Sequence, residues 1–226
     1  RMKILYLGHS AFQLTSAQGI RLVIDPFVDN NPLAPIKAKD LKADYILLSH
    51  AHGDHCGDAL KIAEKGKSTI IAVSELASYF SQSGHKTHPM QIGGAYDFEF
   101  GRVKLTRAEH GSMTPDGRYG GLAAGFVLTI DGICIYHAGD TGIFGDMKLI
   151  GELDRIDYFL VPIGGNYTMD IQDAAIATSW INPKYAIPMH YNTFPLIKAD
   201  PEELRKALRD CETQVLVLKP GQEISI

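Results

Sequence analysis

One short segment, His50-Ala51-His52-Gly53-Asp54-His55-Cys56-Gly57, constrains this chain more than any other. Four coordinating side chains fall within six residues. With nine His among 226 residues, chance assembly of such a run is on the order of 10⁻³ over the whole chain. His50 and His52, two apart on an extended segment, point to the same side. Gly53 relieves the turn, after which Asp54 and His55 enter a helix. The segment cannot complete a site alone, so the fold must return other donors to it. Candidates are His110 in Glu109-His110-Gly111, Asp140 in Gly139-Asp140-Thr141 and His190 in Met189-His190-Tyr191. Each follows closely on a predicted strand, and strand-end loops on a rigid sheet can converge on one edge.

Apolar alternation predicts strands over residues 3–7, 12–15, 21–24, 45–49, 69–73, 95–98, 103–107, 124–130, 133–137, 158–161, 185–187 and 214–218. Asp131-Gly132 supplies the positive φ angles of a tight hairpin. Helices are predicted over 56–65, 75–81, 145–151, 171–180 and 201–210, the last capped by Asp200 with Pro201 in its first turn. Hairpins mixed with helices imply an α/β (α+β) chain of stacked, helix-covered sheets rather than one parallel sheet. No Pro/Gly/Ser-rich linker divides the sequence, so residues 1–226 read as one domain; Arg1, ahead of Met2, is set aside.

Hydrophobic residues at 45% and charged residues at 21% are ordinary globular usage. A net charge of -4 and a pI near 6.1 provide no basic field for a polyanion, so a nucleic-acid partner is disfavoured. No stretch has the length of a membrane span or signal-peptide core. Cys56, Cys134 and Cys211 are widely spaced and read as reduced thiols, which suits a cytoplasmic protein. The expected partner is a small-molecule substrate, with a homo-oligomer left open.

Imidazoles and carboxylates without thiolate suit divalent metal, zinc first, with manganese, iron or nickel as alternatives. A helix N-terminus near His55 would keep it neutral and able to ligate. The pattern His-x-His-x-Asp-His-x-Gly, followed in order by His110, Asp140 and His190, resembles the metallo-β-lactamase superfamily along essentially the whole chain. Gly8-His9-Ser10, Ile24-Asp25-Pro26, Tyr136-His137-Ala138-Gly139-Asp140-Thr141 and Met189-His190-Tyr191 resemble its compact branch of metal-dependent hydrolases, relatives of ascorbate-6-phosphate lactonase. The resemblance implies a four-layer αββα sandwich with the site at one edge of its sheets. It also implies His50, His52 and His110 on one ion, Asp54, His55 and His190 on a second, and Asp140 bridging both. No large nuclease-type insertion or tRNA-maturation arm is present. His52 stands where the di-iron flavoproteins have Glu, and no flavin domain follows.

The expected activity is hydrolysis of a small, anionic ester, lactone or phosphorylated molecule by a water activated between two ions, with Asp54 as proton shuttle. A phosphodiesterase or nuclease and a non-catalytic metal-binding protein are the alternatives. His9 reads either as a buried, satisfied histidine or as a proton donor or substrate contact, and the second is preferred. Asp25 reads as a turn former or as an acceptor for a ligand histidine, and His137 as packing behind the ligands. Asn192 and Gly164-Gly165-Asn166 read equally as substrate contacts or turn chemistry. Cys56 reads as a packed thiol, His85 and His88 as solvated, and Ser112–Gly121 as a lid or a plain loop.

Overall fold

The computed structural model describes the backbone of all 226 residues, and the side chains of all but residues 65 and 66. Two seven-stranded sheets form. In the first, β1 (Lys3–Gly8), β2 (Ala11–Thr15) and β3 (Arg21–Ile24) make an antiparallel meander. β4 (Tyr45–Leu47), β5 (Thr69–Val73) and β6 (Thr87–Met90) then continue parallel to β3. The second repeats the plan: β7 (Ala95–Phe98), β8 (Gly101–Arg107), β9 (Ala124–Ile130) and β10 (Ile133–His137) are antiparallel. β11 (Tyr158–Pro162), β12 (Tyr185–Met189) and β13 (Gln214–Val215) run parallel to β10. β14 (Glu223–Ser225) returns to pair with β1 in the first sheet.

Period-two alternation decides the layers. Along β11, Tyr158 and Leu160 join the larger core shared with the first sheet, while Phe159 and Val161 belong to a separate outer core. That outer core is covered by α4 (Met147–Leu153), α5 (Ile171–Ile181) and α6 (Pro201–Ala207). α1 (Gly53–Cys56), α2 (Ala59–Gly66) and α3 (Ser74–Ser81) belong to the first sheet's half of the chain, and Leu76 and Phe80 of α3 enter its core. The expected αββα sandwich is therefore the observed one. No helix among the described residues is long and apolar enough to cross a membrane.

Some expectations shift. The helix expected over 56–65 is two helices, because Gly57 adopts φ 43° and ψ -116° and packs against the Pro26–Phe27 backbone. A Cβ there would lie 2.6 Å from Phe27 Cα, and Asp58 N bonds to Pro26 O. β6 and β14 were not expected from the sequence. β6 reads Thr-His-Pro-Met, and Pro89 is tolerated because the strand lies at the sheet edge. His88 consequently lies in a strand, its ring 4.4 Å from that of Tyr96, and His85 is half-buried near Glu64. Neither is simply solvated.

Substituting Gly57→Ala should lower stability by about 2–3 kcal/mol, since it adds both a clash and an L-residue in a glycine region. A lower denaturant midpoint with unchanged slope would verify it.

Candidate metal centre

β1, β3 and β4 run the same way in the first sheet, as do β8, β10 and β12 in the second. His9 and Asp25 directly follow β1 and β3, and His50–His55 lie just beyond β4. His110, Asp140 and His190 follow β8, β10 and β12. Carboxyl ends of strands are where an α/β fold leaves a crevice. His9, Asp25 and His190 take left-handed conformations, with φ of 57°, 46° and 55°. Such conformations cost roughly 1–2 kcal/mol each and persist only where surroundings impose them. Here His190 N donates to His9 O at 2.9 Å, which ties the two sheets together at this edge. Tyr6 Oη donates to the same carbonyl at 3.0 Å. Gly139 (φ 64°) turns the chain before Asp140 and leaves no room for a Cβ against Ala124 O.

The seven expected donors meet. His52 Nδ1 lies 3.0 Å from His50 Nε2 and 3.3 Å from His110 Nε2. Asp54 Oδ2 lies 3.5 Å from His55 Nε2 and 3.8 Å from His190 Nε2. Between these sets sits Asp140 Oδ2, at 3.0 Å from both His55 Nε2 and His190 Nε2, 3.4 Å from His110 Nε2 and 3.8 Å from His50 Nε2. Yet the buried atoms His55 Nε2, His190 Nε2, His190 Nδ1 and Asp140 Oδ1 have no hydrogen-bond partner. Orphaned buried polar atoms cost free energy, and a cation among them would remove that cost. The donor set therefore fits divalent metal. Cys56 stays out of it, its thiol donating to His50 O at 3.3 Å.

Behind the donors, Asp25 is fully buried and accepts from Ser49 N at 2.8 Å, Ser49 Oγ at 2.6 Å and His55 Nδ1 at 2.8 Å. Ser49 Oγ in turn accepts from His50 Nδ1 at 2.9 Å. One carboxylate thus orients two imidazoles, fixing their protons on Nδ1 and turning Nε2 inward. Burial works against the Asp25 charge, but His55 beside it holds the carboxyl below its ordinary value. His50 is pushed well below the usual imidazole value by burial and by neighbouring His55. The expectation of a neutral His55 is corrected for the metal-free chain. Burial pulls His55 down, but Asp140 and Asp25 outweigh it and hold it well above the usual imidazole value. α1 has only four residues, too short for its dipole to compete with two carboxylates.

His9 Nε2–H donates to Asp54 Oδ2 at 2.9 Å, and His9 Nδ1 accepts from Thr193 Oγ1 at 2.7 Å. Burial lowers His9 to about 4, more than the Asp54 hydrogen bond raises it. Both ring nitrogens of His137 are taken by backbone: its Nε2–H goes to Ser10 O at 3.0 Å and its Nδ1 accepts from Gly139 N at 3.1 Å, which pins two site loops. Asn192 is turned away. Its Oδ1 accepts from Ala199 N at 3.0 Å, the turn chemistry that was one of its two expected readings. Thr193, Ser49 and Tyr6 were not expected; Thr193 and Ser49 adjoin Asn192 and His50, and Tyr6 lies two residues before Gly8, signals too weak to single out a hydroxyl. Gly164 lets the His190 backbone pass, since a Cβ would lie 2.2 Å from His190 O, and Gly165 with Asn166 forms a turn. Residues 112–121 form a small hairpin closed by a Met113–Tyr119 bridge, with Ser112 Oγ accepting from Ala51 N at 3.1 Å.

A cavity of about 460 Å³ opens over this cluster, with His52, Asp54, His110, Asp140 and His190 at its floor. Tyr167, Phe194, Pro195 and Leu196 form its wall. A larger cleft of about 910 Å³, beside Trp180 and Asp157, contains none of these residues.

Folding traps His9 neutral, whereas the unfolded chain protonates it below pH 6.5. Stability from this group is therefore present above 6.5 and lost as pH falls toward 4. In metal-free protein, His9→Asn, which suits the left-handed backbone, should shrink that acid-side loss by about 3 kcal/mol. Denaturant titrations at stepped pH would measure it; an unchanged acid limb would contradict a neutral His9.

Comparison with known proteins agrees with this geometry. The family model described as a beta-lactamase superfamily domain matches residues 3–190. A UPF0173 metal-dependent hydrolase of Carboxydothermus hydrogenoformans is 49% identical over 225 residues, covering 99% of each chain. One from Natranaerobius thermophilus is 46% identical over 226 residues, covering all of both. The solved structure of Igni18, a metallo hydrolase from Ignicoccus hospitalis, is 38% identical with a TM-score of 0.90, covering 99% of this chain and 97% of its own. The metallo-beta-lactamase fold protein YhfI of Bacillus subtilis, at 14% identity, covers 99% of this chain and 98% of its own with a TM-score of 0.76, a likeness of fold alone. With its buried His/Asp cluster at the carboxyl ends of two stacked sheets, this chain belongs to the metallo-β-lactamase superfamily, among its UPF0173 metal-dependent hydrolases.

Proposed function

We propose that the centre takes two divalent ions, zinc first, and hydrolyses a small ester or lactone. His50, His52 and His110 would hold one ion, Asp54, His55 and His190 the other, and Asp140 both. The observation that supports this is the position of Asp140 Oδ2, within 3.0–3.8 Å of imidazole nitrogens from both sets. Bound divalent ions supply Lewis acidity and lower the pKa of a water toward about 7. The chain's own residues then govern the protons. Burial raises Asp54, but His55 and His9 outweigh it and keep the carboxylate ionised, ready to accept a proton. His9 donates its Nε2–H to one Asp54 oxygen and holds it in place, leaving Asp54 to take the proton from the water and pass it to the departing oxygen. In the overall reaction the water oxygen adds to the acyl carbon and the acyl C–O bond breaks. The departing oxygen takes up a proton, giving acid and alcohol.

The anionic or phosphorylated substrate expected from the sequence finds little support in the cavity. No Lys or Arg lines it among the described residues. A carbonyl ester or lactone therefore ranks above a phosphodiester. Residence in the cytoplasm belongs to the same proposal.

Supplied with excess zinc, the protein should take up two ions per chain, read by elemental analysis. Asp140→Ala should lose metal and hydrolysis together, whereas His9→Asn should keep both ions and lower turnover about 10²-fold, because Asp54 is held less firmly. Loss of both ions in the His9 variant would make it a ligand instead. Incubation of the metal-loaded chain with γ-lactones, p-nitrophenyl esters and bis-(p-nitrophenyl) phosphate should give cleavage of carbonyl substrates. Cleavage of the phosphodiester alone would move the assignment to a phosphodiesterase.

A further inference from the structure

The wall of the site cavity carries chemistry that the metal ligands do not explain. Leu196 is 64% exposed, Tyr167 54% and Phe194 37%, all lining the approach to Asp54 and His190. Large apolar side chains this exposed and this close together are an unfavourable hydration load unless something covers them. They are also held in fixed positions. The Phe194 ring stands edge-on to His9 at 5.5 Å and tilted against Phe27 at 6.2 Å. Leu196 rides on the 3-10 turn Pro195–Ile197, whose neighbour Ile197 is fully buried. Asn192 clamps that turn from both sides, donating its N–H to Ile197 O at 2.8 Å and accepting from Ala199 N at 3.0 Å. Tyr167 sits on a turn closed by Gly165 N to Met169 O at 3.0 Å. Met169 N donates to Thr141 O at 2.9 Å, beside Asp140, so the Tyr167 turn is tied to the floor of the site. The wall is thus built in register with the reacting centre rather than draped over it.

We propose that Tyr167, Phe194, Pro195 and Leu196 form a specificity wall for an uncharged, apolar acyl group of several carbons attached to the scissile carbonyl. The hydrolytic assignment supplies only the bond that is cut; the wall itself follows from lining, exposure and anchoring. A cavity of about 460 Å³ accommodates such a group beside the floor. A phosphate or carboxylate on the acyl chain would meet apolar carbon there, with no cationic side chain to pair it.

The test begins with binding. Metal-loaded protein is titrated with uncharged n-alkyl amides from acetamide to hexanamide, followed through leucine methyl and aromatic ring resonances. Affinity should rise by up to about fourfold per methylene, with shifts centred on Leu196, Tyr167 and Phe194. Leu196→Ser should flatten the rise, while Leu153→Ser, equally exposed on α4 far from the cavity wall, should preserve it. Affinity independent of chain length, shifts located elsewhere, or tighter binding of nucleoside monophosphates at these residues would each overturn the proposal. The matching p-nitrophenyl esters, acetate to hexanoate, should show kcat/KM rising along the same series. Amide binding as expected with no ester cleaved leaves the wall standing and removes the hydrolytic assignment; cleavage with no dependence on chain length in either series removes the wall and keeps hydrolysis.

Discussion

Asp140 faces imidazole nitrogens from both sheets while buried to 2% exposure, and the rest of the site is arranged around that burden. A carboxylate taken out of water must be paired. In the metal-free chain His55 stands between Asp140 and Asp25, whose charges raise it against the effect of burial. A divalent ion at this cluster would supply positive charge to the same carboxylate. Both ring nitrogens of His190 are left without a hydrogen-bond partner beside it.

The cost of gathering these groups is met by the frame behind them. Three left-handed residues, a glycine with no space for a Cβ and a backbone bond between His190 and His9 all lie within the same strand-end edge. Strained turns of this kind last only when packed sheets on either side leave no alternative. Asp25 extends that logic to side chains, since one carboxylate fixes the ring orientation of both His50 and His55. His137 does so for backbone, holding the Gly139 turn against Ser10.

The opening above the cluster divides by chemistry into two parts. Its floor is polar and titratable, and its wall is apolar and set by turns that follow β11 and β12. Catalysis needs charge stabilisation at the floor, whereas selection among substrates falls to the wall, where each buried methylene adds a small increment of binding.

Much of this was legible in the sequence. The run from His50 to His55, and the single donors after later strands, required a fold with a common strand-end edge, because no local structure can bring residues 50, 110, 140 and 190 together. Period-two alternation located most of the strands. What escaped had no local signature. Thr-His-Pro-Met is a poor strand by composition and becomes one only because β5 offers an edge. Gly57 breaks a helix only because the Pro26–Phe27 backbone lies against it. Thr193 meets His9 across 184 residues, and Asn192, its neighbour, faces the other way. The sequence by itself determined which side chains offer donor atoms and in what order, since donor chemistry and strand periodicity are local properties. Tertiary structure alone decided which hydroxyls and carboxylates orient those donors, and which apolar residues stand over them, because both are set by contacts between segments distant along the chain.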